Sequence, residues 1–378
     1  MKMKILVFSH EYPPVGGGGG RVAQNLNRGL TKLGYEIQVI STHFGDLPVR
    51  SDEDGILVHR IHCHRSEIYK ASFFSMMLFV WRGFWKGLSI IRQWKPDVLH
   101  AHFAVPAGAP TWALSRLTKI PYIITAHGGD VPGAAPEKTA NWFKFIMPFT
   151  HPIWNQAVRI VAVSDHFEQL ARKYYPVEME VIPNRFSVEG IQMDKLQPNQ
   201  PPMIIYAGRF SPEKNPTMVV EALAKLREYD WQAVMLGDGT LMPEIQKKIE
   251  QLKLKSRIRL TGWVSEQQVQ EYFSKSDILF MPSLAEGLPL SALQGLAMGL
   301  ALVLSRVGGC VNLVKPGKNG FLVEPGDLKG YVDALRELLS QPNLIMRYRK
   351  ASLEHAQQFQ PQSVITAYDD LFMKLHPE

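Results

Sequence analysis

Glu286 stands in the stretch Met281 to Gly299, MPSLAEGLPLSALQGLAMG, where an apolar run ends in a glycine-broken turn and a helix of small and apolar residues begins. Gly287 has no side chain to hold a ligand off the backbone, and the amides opening a helix carry a partial positive charge. Such a corner suits an anion such as a nucleotide diphosphate, although an ordinary strand-turn-helix corner has the same outline. Upstream, Arg209 follows Ala207-Gly208, and five residues later Lys214 stands in Glu213-Lys214-Asn215-Pro216. Both cations can reach one diphosphate, the guanidinium as a fork and the ammonium as a point charge; a solvated surface pair is the plainer alternative. Gly237-Asp238-Gly239 and Gly262-Trp263-Val264 add two more turns after apolar runs.

The first half of the chain carries a second set. Pro13 to Gly20, PPVGGGGG, lies between an apolar segment and a helix expected over Arg21 to Leu33, where Gly17, Gly18 and their neighbours can close amides around a phosphate or a sugar. Arg21 occupies the position where a dinucleotide fingerprint aligned on Gly16 and Gly18 needs Gly or Ala, which argues against NAD. Thr125-Ala126-His127-Gly128-Gly129-Asp130 places a histidine at the carboxyl end of an apolar strand, where open α/β sheets bind ligands; a satisfied loop histidine is the alternative. His100-Ala101-His102 ends another strand, with His62-Cys63-His64 upstream. Two strand histidines can meet one ion, but no cysteine or carboxylate stands nearby at ligand spacing, so structural or substrate-lining roles outweigh a metal site.

Positioning these groups takes alternating strands and helices, the pattern of parallel α/β sheets with helices on both faces. One set of strands is expected at Lys4 to Ser9, Glu36 to Ser41, Ile56 to Ile61, Asp97 to Ala101, Tyr122 to Thr125, Arg159 to Val163 and Met179 to Ile182. A second set is expected at Met203 to Ala207, Gln232 to Leu236, Arg257 to Leu260, Asp277 to Met281, Ala301 to Ser305 and Gly320 to Val323. The polar, proline-rich run at 192–202 reads as a linker, which gives domains at 1–191 and 203–360 and a helical tail at 361–378 expected to pack back on the first domain. A chain of 378 residues is long enough for two such cores.

The two cysteines, Cys63 and Cys310, fall in different expected domains, so no disulfide framework is implied and a reducing, cytoplasmic setting fits. The apolar run near the start is shorter than a signal-peptide core. A net charge of +7 raises nucleic acid as a partner, but no basic run with interleaved aromatics resembles a nucleic-acid module, and an anionic substrate or membrane surface fits better. From Ile68 to Lys95 the chain mixes Phe, Trp and Met with Lys70, Arg82, Lys86, Arg92 and Lys95, its apolar runs below the roughly 20 residues needed to span a bilayer. The stretch fits an amphipathic helix on anionic lipid, a peripheral membrane contact, or helices that pack their aromatics into a core.

Taken in order, the motifs resemble those of GT-B glycosyltransferases of the family 4 group of retaining enzymes. The resemblance covers nearly the whole chain and rests on PPVGGGGGR, HGGD at 127–130, Val163-Ser164, Ile182-Pro183-Asn184, AGR followed by EKN, GDG, GWV, PSLAEGLPLSALQGLA, and VGG with GKNGFLVEPGD at 307–327. It implies two Rossmann-like domains with parallel sheets facing across a central cleft, the first taking the acceptor and the second the nucleotide sugar. It implies further that Arg209 and Lys214 neutralise the donor diphosphate, that Glu286 holds a donor-sugar hydroxyl, and that Gly287, Leu288 and Pro289 form the sugar and phosphate corner. His127 would line the donor sugar, Gly17 or Gly18 would close on the phosphates, Gly208 and Gly237 would sit on the donor rim, and Trp263 and Val264 would lie near the base. Asp130 and His102 would shape the acceptor side, with a glycan or lipid-linked acceptor, and no metal or cofactor beyond the nucleotide diphosphate sugar would be needed.

Three positions depart from the family pattern. Its second glutamate, eight residues after the first, is here Gln294, whose amide can still meet ribose hydroxyls as donor and acceptor. Arg185 stands where glycine usually follows Pro183-Asn184, and Cys310-Val311-Asn312 follow VGG in place of the usual Pro and Glu. Retaining glycosyl transfer is the reading the motifs favour; a non-catalytic nucleotide-sugar-binding protein, suggested by Gln294, and a GT-B epimerase are the alternatives.

Overall fold

The computed structural model describes residues 3–68, 71–127, 130–131, 143–183, 196–359 and 361–375. Contacts divide the chain into two compact units, Met1–Asn184 with Gln362–Glu378, and Arg185–Pro361. Gly128, Gly129, Asn184, Arg185, Lys70 and the first part of the expected linker lie outside the described residues.

The first unit runs β1 (Lys4–Ser9), α1 (Gly18–Lys32), β2 (Glu36–Thr42), β3 (Arg50–Glu53), β4 (Ile56–Ile61), α2 (Phe73–Trp94), β5 (Val98–His102), α3 (Gly108–Thr118), β6 (Tyr122–Ala126), α4 (Phe143–Asn155), β7 (Arg159–Ala162), α5 (Asp165–Arg172) and β8 (Glu180–Val181). Its sheet has the order β3-β4-β2-β1-β5-β6-β7-β8, parallel except where β3 meets β4. Both faces of the sheet are covered, so β6 is buried at every residue and reads as an apolar run, and β5 is buried throughout although it carries His100 and His102. Strand β3 escaped the sequence reading because it is polar, RSDE, and is held to β4 by side chains. Arg60 donates to Ser51 Oγ at 2.8 Å and to Glu53 Oε1 at 2.6 Å.

Two expectations about helices change. The helix after the glycine run begins at Gly18 and not at Arg21, with Gly17 as its N-cap, so three of the glycines form its first turn. The aromatic helix α2 divides its side chains between two surroundings. Phe79, Leu88 and Ile91 are buried, and a methyl group on Gly87 would lie 2.6 Å from Leu114 and 2.7 Å from Phe8, so the helix backbone lies close against the sheet and α3. Phe74, Met77, Trp81 and Trp85 face outward.

The second unit runs β9 (Met203–Ala207), α6 (Pro216–Ala224), β10 (Gln232–Leu236), α7 (Met242–Gln251), β11 (Ile258–Leu260), α8 (Glu266–Ser274), β12 (Ile278–Met281), α9 (Leu290–Ala297), β13 (Ala301–Ser305), α10 (Cys310–Leu313), β14 (Gly320–Val323), α11 (Leu328–Ser340) and α12 (Pro342–Ala356). Its parallel sheet has the order β11-β10-β9-β12-β13-β14. The described end of the expected linker, 196–202, is fastened to this unit: Asn199 donates to Asp277 Oδ2 at 2.8 Å and Arg349 to the Gln197 carbonyl at 2.9 Å. Asp277 and Arg349 form a buried ion pair at 2.5 Å.

The last helix, α13 (Pro361–Met373), returns to the first unit. Tyr368, Leu371 and Phe372 enter its core beside Ile5, Val7 and Tyr35. The Tyr35 hydroxyl donates to Asp369 at 2.6 Å, and the Tyr368 hydroxyl shares a 2.6 Å hydrogen bond with Thr125 Oγ1 in β6.

Candidate functional site

In the second unit the strand order reverses between β9 and β12, the place where open α/β sheets leave a crevice at their carboxyl ends. The loops leaving these two strands carry Lys214 and Glu286, whose Nζ and Oε2 are 2.6 Å apart. The Glu286 side chain is 4% exposed and that of Lys214 26%. Ser283 Oγ donates to the other Glu286 oxygen at 2.8 Å, and Leu284 N donates to the Glu213 carbonyl at 2.8 Å, which locks the two loops together. Lys214 thus neutralises the buried carboxylate, and the structure does not show it aimed with Arg209 at a common point. Arg209 follows Gly208 on the same loop, its carbonyl accepting from the Tyr206 hydroxyl at 3.2 Å.

Hydrogen bonds join each rim loop to its neighbour in the sheet. Gly208 N donates to Leu236 O at 3.1 Å, Phe210 N to Asp238 O at 2.9 Å, and Gly237 N to Gly262 O at 3.0 Å. On the other side Gly309 N donates to Gly287 O. Glycine is required at two of these crossings. A Cβ on Gly237, φ +130°, would lie 2.0 Å from Gly208 O, and one on Gly308, φ +45°, would lie 1.8 Å from Glu286 O. Gly287 differs, since no atom lies within 4 Å of the place its Cβ would take. The backbone beside Glu286 is therefore open on its Cα side, while the Gly287 carbonyl is taken by Gly309. Leu288 and Pro289 are buried at the start of α9, Val264 packs against the core below the rim, and Trp263 is exposed. Gln294, one face of α9 on, is buried, and its Nε2 has no hydrogen-bond partner. A buried amide N–H without an acceptor is costly, and a ligand oxygen would relieve it.

In the first unit the corresponding reversal falls between β1 and β5. The group here was only partly visible in the sequence. His127 Nε2 lies 3.2 Å from His102 Nδ1, and its ring is 4.5 Å from that of Phe103, which stands 4.8 Å from His10 on the far side. Burial pushes His127 and His10 down to about 4 and His100 to about 3, so these imidazoles are neutral at neutral pH; His102 shifts the same way. The structure buries Asp130 and His102 completely. Asp130 accepts from His127 N at 2.6 Å and Val105 N at 3.3 Å, while burial raises it to about 8. It joins the His127 amide at the end of β6 to the segment after β5.

Glu11 was missed. Its Oε2 accepts from Gly17 N at 2.8 Å, so the amide expected to meet a phosphate is already held by a carboxylate. Gly16 and Gly20 wrap this acid: a Cβ on Gly16 would strike its side chain at 2.4 Å, and one on Gly20 its carbonyl at 2.8 Å. A lone acid between an apolar strand and a glycine run was the available signal. Among the described residues there is no group of three or more His, Cys, Asp or Glu that could hold a metal ion.

Residues 16–189 match the family described as Glycosyltransferase Family 4, and residues 189–355 match Glycosyl transferases group 1. The chain belongs to the group 1/family 4 glycosyltransferases. N-acetyl-alpha-D-glucosaminyl L-malate synthase of Bacillus anthracis is 24% identical over 98% of this glycosyltransferase and 97% of its own length. Among solved structures, sucrose-phosphate synthase from Thermosynechococcus elongatus superposes with a TM-score of 0.83 at 18% identity, covering 99% of each chain. Anabaena Alr3699/HepE in complex with UDP-glucose gives 0.78 at 16% identity, over 99% of this chain and all of that one (100%). These likenesses identify the GT-B fold, and the chain is a GT-B glycosyltransferase.

Proposed function

We propose that this glycosyltransferase moves a sugar from a nucleoside diphosphate sugar to a hydroxyl acceptor with retention of anomeric configuration, in the assembly of a polysaccharide or glycolipid. The observation that carries the reading is the Lys214–Glu286 pair, 2.6 Å apart at a sheet switch point beside the open backbone of Gly287. The donor diphosphate draws on Lys214 and Arg209, and Glu286 accepts from a sugar hydroxyl. Negative charge on the departing nucleotide is met by Lys214 and Arg209 of the loop after β9, so this reading needs no metal ion. Gly208, Gly237, Gly287, Leu288 and Pro289 shape the backbone around the donor, Trp263 and Val264 border the base, and the orphan Gln294 amide donates to a ribose hydroxyl. His127, held neutral, borders the sugar, and Asp130 and His102 keep it in place from behind. The anomeric carbon–oxygen bond to the diphosphate breaks while the bond to the acceptor oxygen forms on the same face, and the acceptor proton passes to the departing phosphate. The likeness to a protein bound to UDP-glucose supports a sugar nucleotide, and the basic, aromatic α2 supports a lipid-linked acceptor met at a membrane surface.

The test is release of nucleoside diphosphate from UDP-, GDP- and ADP-sugars across an acceptor panel, with and without EDTA. Wild type is expected to turn over with one donor, unaffected by EDTA, and Glu286→Gln to lose on the order of 100-fold or more in kcat/KM. Gln294 keeps a second reading in view, a protein that binds the donor without turnover. Turnover that rises in Gln294→Glu supports catalysis; nucleotide binding with silence in both forms supports the second reading.

A further inference from the structure

Buried rings on β5 and at the end of β6 form one line from the returning helix α13 to His127. His100, His102 and Thr125 share a face of the sheet, because side chains two apart on a strand point the same way and His102 lies opposite Thr125 in the β5–β6 register. At one end Thr125 Oγ1 meets the Tyr368 hydroxyl at 2.6 Å and His100 Nε2 at 2.8 Å. The His100 ring stands 4.2 Å from that of His102, and His102 Nδ1 is 3.2 Å from His127 Nε2. Phe103 adds a contact of its own. It holds φ +74°, a costly left-handed conformation for a bulky residue, with its ring 4.5 Å from the His127 imidazole.

The proton positions follow from what is left unpaired. Burial holds these imidazoles uncharged near neutral pH, so each carries a single N–H. His102 Nε2 is buried and has no partner among the described residues. If His127 Nε2–H donated to His102 Nδ1, the His102 proton would be stranded on that Nε2, a buried N–H without an acceptor. With His102 Nδ1–H donating to His127 Nε2, only a lone pair is left there, and the His127 proton stands on Nδ1. Nδ1–H is then the group that His127 can offer to a ligand oxygen.

We propose that α13 acts on the transfer site through this line: Tyr368, Thr125 and His100 hold His102, and His102 is the positioning residue that keeps the His127 proton on Nδ1, where it is offered to an oxygen of the donor sugar. The proposal rests on the reading that His127 borders that sugar. Because Lys214 and Arg209 take the diphosphate, disturbing the line lowers kcat and spares KM for the donor. Proton–nitrogen correlations across two bonds, recorded on protein with isotope-labelled histidine, distinguish Nδ1–H from Nε2–H imidazoles without any turnover. Wild type is expected to show the His127 proton on Nδ1. Tyr368→Phe, which keeps the ring in the core, is expected to move the His100 and His127 signals while that of His59 on β4 stays. In the transfer assay Tyr368→Phe is expected to lose roughly fivefold in kcat and His102→Leu roughly 50-fold, with KM for the donor within about twofold. His102→Asn, whose amide N–H replaces the Nδ1 donor, recovers about tenfold over His102→Leu. A wild-type His127 proton on Nε2 overturns the proposal, as does a Tyr368→Phe protein whose His127 signal and kcat both match wild type. Loss in His102→Leu without recovery in His102→Asn overturns the donor role of His102. If His102→Leu does not fold, the wild-type spectrum and Tyr368→Phe still decide. A protein with the expected signals that turns over no donor upholds the proton placement and overturns the transfer reading, so the two failures are distinguishable.

Discussion

Glu286 and Lys214 are chemically unequal partners. Lys214→Met leaves a carboxylate that is 4% exposed and accepts from Ser283, whereas Glu286→Gln leaves an ammonium that water can still reach. The first is expected to destabilise the second unit by about 1–3 kcal/mol and the second by less than about 1 kcal/mol, measured by urea unfolding. Both should abolish most activity, so stability and turnover separate in Glu286→Gln. The glycines give a matching contrast. Gly287→Ala adds a methyl group to open space, and the melting temperature should move by no more than about 2 °C while KM for the donor rises. Gly308→Ala drives a methyl group into the Glu286 carbonyl from a left-handed backbone, and a loss of roughly 3 kcal/mol or more is expected in the same unfolding experiment.

At the scale of elements, the parallel strands were legible because burial on both faces leaves uninterrupted apolar runs, as in MIIYA and ALVLS. The helix α1 start was not, since Gly18 to Gly20 have low helix propensity and only tertiary contact holds them helical. A Cβ on Gly19 would lie 2.3 Å from the Phe103 ring, a neighbour 84 positions away that no local pattern reveals. Glu11 escaped for a similar reason: its partner amide at Gly17 comes close only once the loop folds back on itself. Of the site, the rim turns of the second unit were readable because glycine, carboxylate and cation stand together in sequence. The pairing of Lys214 with Glu286 was not, since 72 residues separate them. Substituting Glu11 by Gln is expected to loosen the glycine turn, seen as faster amide exchange at Gly17, and to lower His127 further, because Glu11 is the group that raises it.

Across the whole molecule, the first unit concentrates uncharged histidines in its interior. His10, His100, His102 and His127 have folded values below the ordinary 6.5, so the unfolded chain binds more protons than the folded one below about 6.5 and down to about 3–4. Stability therefore falls as pH drops through that window. Asp130, raised to about 8, has the opposite sign, losing stability as pH rises from about 4 to 8, and offsets one of the four. Thermal melts from pH 7 to 4.5 should show a falling melting temperature, with a shallower slope in His100→Asn. Deleting residues 361–378 removes Tyr368, Leu371 and Phe372 from the core, a loss of about 4.5–9 kcal/mol at roughly 1.5–3 kcal/mol each, and the first unit is expected to lose its cooperative melt. This discontinuity also sets an order of events on the ribosome. Residues up to 183 leave the tunnel early, but their missing helix begins at 361, so at about 5–20 residues per second the unfinished unit waits roughly 10–35 s for its own last piece while the other half is made. Newborn chains of this glycosyltransferase thus carry an uncovered apolar groove lined by Ile5, Val7 and Tyr35 while the second unit is made, a natural landing place for a chaperone.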